Sequence, residues 1–302
     1  MHINHIIIHS MNIIKILFNA ILGEFIKLYY RIFGFNQAFY LSELSSSPVR
    51  ERVILSLTSY GRRVYDTLPY ALISLLRQTY RPDAIIVWLD SDEWDEKTLP
   101  PQIRQLQARG VMIKYCDNLR SYKKLIPALL EYPNDLIVTF DDDLFYHKSV
   151  LKRLIDAHIA NPNMIIASRA HKILFDRFGH MLPYSEWTHD IDNISGDFLL
   201  PLGGEGVVYK YGLLYKDVCK RELFSLLAPN ADDVWFFFMS YLNGTSKIVV
   251  NNDGNTSIPI DLIYQFFHRN SALMWTNCRD GQNDNQISSI MKYYNINMKN
   301  NK

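Results

Sequence analysis

Residues Leu136–Tyr146 read Leu-Ile-Val-Thr-Phe-Asp-Asp-Asp-Leu-Phe-Tyr. The apolar, partly β-branched first half suits a strand buried on both faces. The carboxylates of Asp141, Asp142 and Asp143 cannot follow it into a core. Like charges this close repel one another, and burial deepens the penalty unless a cation meets them. A strand that delivers acidic side chains to the edge of a sheet reconciles the two halves. Alternate side chains of an extended chain share a side, so Asp141 and Asp143 are expected to face one cation and Asp142 to face away. Two carboxylates suit Mg²⁺ or Mn²⁺, hard ions that keep coordination positions open for phosphate oxygens. The competing reading is an acidic loop that caps the next helix.

Upstream of this stretch, strands and helices alternate. Val53 to Thr58, Ala84 to Leu89 and Val111 to Tyr115 read as strands, and Leu136 to Phe140 as a fourth. Between them Val64 to Gln78, Leu99 to Ala108 and Tyr122 to Leu130 carry helical periodicity. Such repeats predict an α/β fold, a mostly parallel sheet flanked by helices, with ligands at the carboxyl ends of the strands. Those ends carry Thr58-Ser59-Tyr60-Gly61-Arg62, Asp90, Cys116-Asp117 and the triplet. Downstream the pattern is less regular. Ser149 to Ala160 predicts a helix, Met164 to Ser168 and Val207 to Tyr209 strands, Trp187 to Gly206 a loop or lid, and Asp232 to Leu242 an aromatic-rich helix.

Residues 3–35 differ from the rest. Ile13, Leu17, Ile21, Phe25, Leu28 and Ile32 recur at helical spacing, with Lys15, Asn19, Lys27 and Arg31 largely opposite. No uncharged apolar run is long enough to span a membrane, and no signal-peptide cleavage site follows. Two readings stand level: a helix lying in a membrane interface, or a helix packed on the domain or a partner. The expected division is an amphipathic extension and linker over residues 1–48 and one domain over 49–295. The net charge of +1 argues against a nucleic-acid surface. Cys116, Cys219 and Cys278 fit neither a zinc site nor a disulfide framework, so a reducing, cytoplasmic setting is expected.

Four further clusters can carry chemistry. In Asn230-Ala231-Asp232-Asp233-Val234-Trp235, two carboxylates open an apolar helix. One can cap it while the other, about 100° around the axis, projects into a cleft as a general base. Arg120-Ser121-Tyr122-Lys123-Lys124 is a cationic segment that either holds phosphate or forms a solvated basic face. Leu202-Gly203-Gly204-Glu205-Gly206 permits close backbone approach to a ligand. His268 is either a third metal ligand or a structural histidine, and Arg169 and His171 leave a strand where they can face a substrate.

Together these residues resemble the bacterial glycosyltransferases of the GT-A fold, the family-2-like, inverting, DxD-containing group. The resemblance spans about Val53 to Asn285. It rests on Ser56-Leu57-Thr58-Ser59-Tyr60, on Ser74-Leu75-Leu76-Arg77-Gln78-Thr79-Tyr80-Arg81-Pro82, on Asp90, on Asp141-Asp142-Asp143 as a DxD motif, and on Asp232-Asp233 before an aromatic helix. It implies transfer of a hexosyl or N-acetylhexosaminyl group from a nucleotide-diphosphate sugar, most plausibly a UDP-sugar, to a hydroxyl. The acceptor is expected to be a glycan or lipid-linked molecule of surface polysaccharide or lipopolysaccharide synthesis, met at the inner face of the cell membrane. Mn²⁺ or Mg²⁺ would be held by Asp141, Asp143 and His268. Asp233, or its neighbour Asp232, would be the base. Thr58, Tyr60, Arg62, Asp90, Lys123, Lys124, Asp142, Gly204 and Glu205 would contact donor or acceptor. Two rival expectations are a two-carboxylate glycoside hydrolase and a non-catalytic nucleotide-sugar or glycan-binding protein on the same fold.

Overall fold

A computed structural model describes residues 18–34, 51–252, 257–267 and 281–298. It opens with α1 (residues 18–29), which continues as a π-helical turn, Tyr30–Gly34. Next come β1 (Val53–Thr58), α2 (Arg63–Asp66), α3 (Leu68–Leu76), β2 (Ala84–Asp90), α4 (Pro101–Gln107), β3 (Val111–Cys116), a 3₁₀ turn (Arg120–Lys124), α5 (Ile126–Glu131) and β4 (Leu136–Thr139). The second half holds β5 (Leu144–Phe145), α6 (Val150–Ala160), β6 (Ile165–Ala167), β7 (Ala170–Lys172), β8 (Thr188–Ile191), β9 (Ile194–Gly196), β10 (Leu199–Pro201) and β11 (Val207–Tyr209). It closes with α7 (Arg221–Leu227), α8 (Asp232–Leu242), β12 (Lys247–Val249), β13 (Ile258–Pro259), α9 (Leu262–Phe267) and α10 (Gln282–Tyr293).

The main sheet runs β3-β2-β1-β4-β11-β6-β12-β9. Strands β3, β2, β1 and β4 are parallel; β2, β1 and β4 are buried on both faces, as parallel strands under helices commonly are, and β3 is the half-exposed edge. Strand β11 inserts antiparallel between β4 and β6, pairing Val207 with Thr139. Alternate residues feed two cores. Ile54, Ile86, Ile137 and Val207 face the one closed by α5, α7 and α8. Leu55, Val87, Val138 and Val208 face the one closed by α3, α4 and α6. Helix α8 is apolar on every side, with Val234 through Met239 all buried, so its axis is held from all directions and its N-terminus is fixed in place.

Three expectations are corrected. The helix over Val64 to Gln78 is two helices that break at Thr67 (φ −127°, ψ −46°), because Pro69 stands in the first turn of α3 and supplies no N–H to continue the ladder. Tyr122 to Leu130 breaks the same way at Leu125, ahead of Pro127, leaving a 3₁₀ turn and a short helix. Trp187 to Gly206 is not a loop but carries β8, β9 and β10, held by pairing to β7 and β12.

Helix α1 packs on the domain along one side. Ile26 and Tyr30 enter a small core with Tyr70, Ala71, Phe145 and Ile260. The Tyr30 ring stacks on Phe145 at 5.9 Å, and Arg31 Nε donates to the Tyr70 hydroxyl at 2.9 Å. Among the described residues no helix is long and apolar enough to cross a membrane.

Candidate active site

The site is assembled at the carboxyl end of β4. Past Thr139 the chain turns, and the turn is tied to the glycine segment that precedes β11. Thr139 Oγ1 donates to Gly203 O at 3.0 Å. Tyr146 Oη accepts the Asp141 N–H at 2.8 Å and lies 2.6 Å from Gly204 O, to which it donates. This contact leaves no space for side chains. A Cβ on Gly204 would stand 2.1 Å from Asp141 Oδ2, and one on Gly203 2.8 Å from Asp233 Oδ1. The glycines are thus what lets the triplet and the acidic pair approach one backbone segment.

The three carboxylates divide between two cations, and not as strand alternation predicts: β4 ends at Thr139, so the triplet is no longer extended strand, and Asp142 and Asp143 share one cation while Asp141 turns to another. Asp142 is buried, accepts a hydrogen bond from Ser59 Oγ and takes Arg63 Nη1 at 2.9 Å. Asp143 meets the same guanidinium, at Nη2, 3.1 Å away. Asp141 turns to Lys124 Nζ, 3.1 Å from its Oδ1, and is the most exposed of the three, with 40% of its side chain open. Burial drives the Asp143 carboxyl up to about 7. The Asp142 and Asp141 charges add to the rise, and Arg63 opposes it.

Lys124 links the triplet to the second constellation. Its Nζ, wholly enclosed, also lies 3.2 Å from Asp232 Oδ2, and the carboxylates around it hold it protonated. Asp233 Oδ1 accepts the Gly203 N–H at 3.0 Å. Burial, then the charge of Asp232, push Asp233 up to about 7, against the pull of Lys124. Neither carboxylate makes a side-chain cap hydrogen bond to the α8 N-terminus. Adjacent acids with separate partners can therefore serve separate roles.

Asp141, Asp142, Asp143, Lys124, Asp232, Asp233 and Gly204 are brought together from segments far apart in sequence. Thr58, Asp90 and Lys123 lie along the neighbouring strand ends. Thr58 Oγ1 donates to Trp88 O at 2.9 Å, and Asp90 Oδ1 accepts the Asp92 N–H at 2.9 Å. Lys123 and Asp90 both act on the Cys116 thiol, which burial raises to about 11. Tyr60 is exposed, with the Arg63 guanidinium 5.2 Å from its ring centre. Arg62 is engaged elsewhere, with Asp66 and Asp261 each at 2.7 Å and the Tyr264 ring at 3.3 Å. Glu205 is held by Arg169 at 2.6 Å and by Ser257. His171 is buried against His189 (3.2 Å) and Tyr184 on the β7–β8 sheet. His268 lies outside the described residues.

Sequence reasoning missed Arg63 and Tyr146. The Gly61-Arg62-Arg63 run after β1 held a signal for the first, but not which arginine turns inward. The phenol of Tyr146 has no sequence signature, since it follows two apolar residues and reads as core.

Carboxylate oxygens are the donors that a hard divalent cation takes. No three His, Cys, Asp or Glu side chains among the described residues form a metal-binding group. Asp141 and Asp143 alone supply the number of carboxylates that Mg²⁺ commonly uses when phosphate oxygens and water complete its shell. The charge inventory agrees. Asp141, Asp142, Asp143, Asp232 and Asp233 crowd against Arg63 and Lys124, the cations that pair with them, and the surplus of carboxylates adds to the burial that raises Asp143 and Asp233.

Comparison with known proteins gives the following. The model of a family described as Glycosyl transferase family 2 matches residues 57–222, more than half of the chain. No curated protein matches. Among solved structures, S. aureus TarS in complex with UDP is similar at 14% identity and TM-score 0.45, covering 81% of this chain and 72% of that one. The mannosyltransferase PcManGT from Pyrobaculum calidifontis in complex with GDP-Man and Mn2+ is similar at 12% identity and TM-score 0.48, covering 94% of this chain and 76% of that one. A 4-diphosphocytidyl-2C-methyl-D-erythritol synthase is similar at 12% identity and TM-score 0.41, covering 69% and 92%.

Proposed function

Because the chain belongs to glycosyl transferase family 2, we propose that it moves a hexosyl or N-acetylhexosaminyl group, with inversion, from a UDP-sugar to a hydroxyl of a glycan or lipid-linked acceptor in surface-polysaccharide synthesis. One observation carries the reading: Lys124 and the Gly203–Gly204 backbone bring the triplet, through Asp141, against the Asp232–Asp233 pair.

Asp233 is the base. Its carboxyl, raised to about 7, is matched to proton transfer near neutral pH, and the Gly203 N–H orients it. Asp232 is ion-paired to Lys124 and steadies the lysine. Asp233 takes the proton of the acceptor hydroxyl, whose oxygen attacks the anomeric carbon from the face opposite the departing nucleoside diphosphate. Thr58, Asp90 and Lys123, at the ends of β1 to β3, line the nucleotide side. Asp141 and Asp143, with His268, are the proposed holders of Mn²⁺ or Mg²⁺, and the bound ion would offset charge developing on the diphosphate.

The test is a panel of nucleotide-sugar donors assayed for release of nucleoside diphosphate with Mn²⁺ or Mg²⁺, using wild type and Asp233→Asn. One donor turned over by wild type, with a loss of about 10²–10⁴ in kcat for Asp233→Asn and retained UDP binding, is expected. No turnover of any donor with either metal refutes the reading.

A further inference from the structure

Helix α1 and its π-helical extension carry a long apolar stripe that no described residue covers. Phe18, Ile21, Phe25, Leu28, Tyr29, Ile32 and Phe33 are all exposed, Phe25 at 65% and Phe18 at 62%. Their spacing puts them on one side of the helix. The opposite side is the one engaged with the domain through Ile26, Tyr30 and Arg31, and a Cβ on Gly23 would come within 2.7 Å of Pro259 O. The stripe is therefore not a core face awaiting its own domain, since the domain already occupies the other side. An apolar surface of this extent on one short helix marks an interaction site.

Beside the stripe runs a groove of about 700 Å³ between α1 and the body, lined by Phe25, Tyr29, Phe145, Arg77, His147 and Lys148 among others. Phe25 and Tyr29 belong to both stripe and groove, so the two surfaces are continuous. Its charged side chains are basic. Arg77 lies over the Tyr30 ring at 5.6 Å, and neither Arg77 nor Lys148 pairs with a carboxylate among the described residues. Lys148 and Arg153 both act on His147, which burial already disposes to stay neutral. An apolar stripe edged by uncompensated cations is complementary to an anionic bilayer surface: acyl chains for the stripe, headgroup phosphates for the rim. A second copy of this chain fits less well, because a two-fold contact through the same stripe would bring the two basic rims together.

We propose that residues 18–34 seat the protein on an anionic lipid bilayer, the apolar stripe entering the interface and Arg77 and Lys148 taking headgroup phosphates. The inference does not depend on the transfer reaction. It bears on it through Tyr146, which lines the groove and whose hydroxyl holds the Asp141 backbone.

The full-length protein is to be sedimented, without donor or metal, with vesicles of phosphatidylcholine alone and of phosphatidylcholine mixed with phosphatidylglycerol. Wild type should bind the mixed vesicles, with affinity falling as salt rises. Phe25→Ser with Leu28→Ser should weaken binding about ten-fold or more. Arg77→Gln with Lys148→Gln should weaken it about five-fold per residue, while leaving nucleotide-sugar turnover in solution unchanged. Unchanged thermal unfolding of the variants excludes misfolding, since none of the four side chains is buried. Equal binding to both vesicle types overturns the headgroup assignment. No vesicle binding, or a wild-type dimer in light scattering that Phe25→Ser with Leu28→Ser dissociates, overturns the proposal. Absence of donor turnover would count against the transferase reading alone.

Discussion

Gly204→Ala tests the geometry of the site without touching any charged group. The glycine carries no positive φ that would strain alanine, so the effect is steric. The added methyl would sit 2.1 Å from Asp141 Oδ2 and 2.7 Å from its Cγ, where an ordinary contact begins at 3.4 Å. The carboxyl must withdraw by about 1.3 Å. The backbone cannot yield instead, because Gly204 O is held by Tyr146 Oη and Asp141 N. Withdrawal lengthens the 3.1 Å contact to Lys124, and overpacking of this kind costs about 1–3 kcal/mol of stability. A displacement of about 1 Å at a reacting centre costs about 10²-fold in rate. Urea unfolding gives the first quantity. Release of nucleoside diphosphate as a function of Mn²⁺ concentration gives the second, with the loss expected in kcat and in metal affinity. Gly204→Ala with wild-type turnover and wild-type metal dependence would falsify the placement of Asp141 against the glycine segment.

Other outcomes follow from the same contacts. The rate should rise with pH through about 7, since Asp233 is raised to that value and only its ionised form accepts a proton; Asp233→Asn should flatten that limb. Removing metal with a chelator should abolish transfer, and Mn²⁺ or Mg²⁺ should restore it; full activity in chelator refutes the metal assignment. Lys124→Met deletes the cation shared by Asp141 and Asp232 and should destabilise the fold by about 3–5 kcal/mol in urea unfolding, more than Lys123→Met, which is buried but lies beside a thiol. Lys247, wholly buried with Nζ 3.1 Å from Asp197 O and 4.7 Å from the Phe237 ring centre, has its pKa lowered to about 7 by burial. Its unfolded form binds the proton more tightly, so wild-type stability should rise with pH between about 7 and 10.5; the advantage of Lys247→Met should be largest at or below pH 7 and vanish near 10.5.

What the chain declares locally and what it hides differ for physical reasons. β1, β2 and β4 are legible because strands buried on both faces are near-continuous apolar runs, and the triplet is legible because no core accepts it. β8 to β10 are not. Each is three or four residues long, β8 is largely exposed, and the pairing that makes them strands comes from β7 and β12, which no local pattern announces. Arg62 and Arg63 are chemically identical neighbours, and only the fold sends Arg63 to the triplet and Arg62 to Asp66 and Asp261. Lys123-Lys124 reads as a phosphate-binding pair because its acidic partners, Asp141 and Asp232, lie in distant segments. The fold turns Lys124 inward to neutralise the protein itself.

That inward turn bears on the order in which ligands enter. Had Lys124 faced outward, the cleft would present a cation to a diphosphate directly. Instead Arg63 is shared by Asp142 and Asp143, and Lys124 by Asp141 and Asp232. Neither has charge to spare, and Asp143 and Asp233 already hold their protons more tightly than usual. A bare diphosphate approaching Asp141 therefore meets net negative charge at short range, which repels it. A divalent ion meets the opposite, and once bound it reverses the sign of the surface the donor sees. The donor should accordingly enter with the ion or after it. In calorimetry, UDP should bind about ten-fold or more weakly in chelator than in Mn²⁺, and Asp141→Asn should narrow that gap by weakening binding with metal and relieving repulsion without it. Equal UDP affinity in the two conditions would contradict this electrostatic account of the cleft.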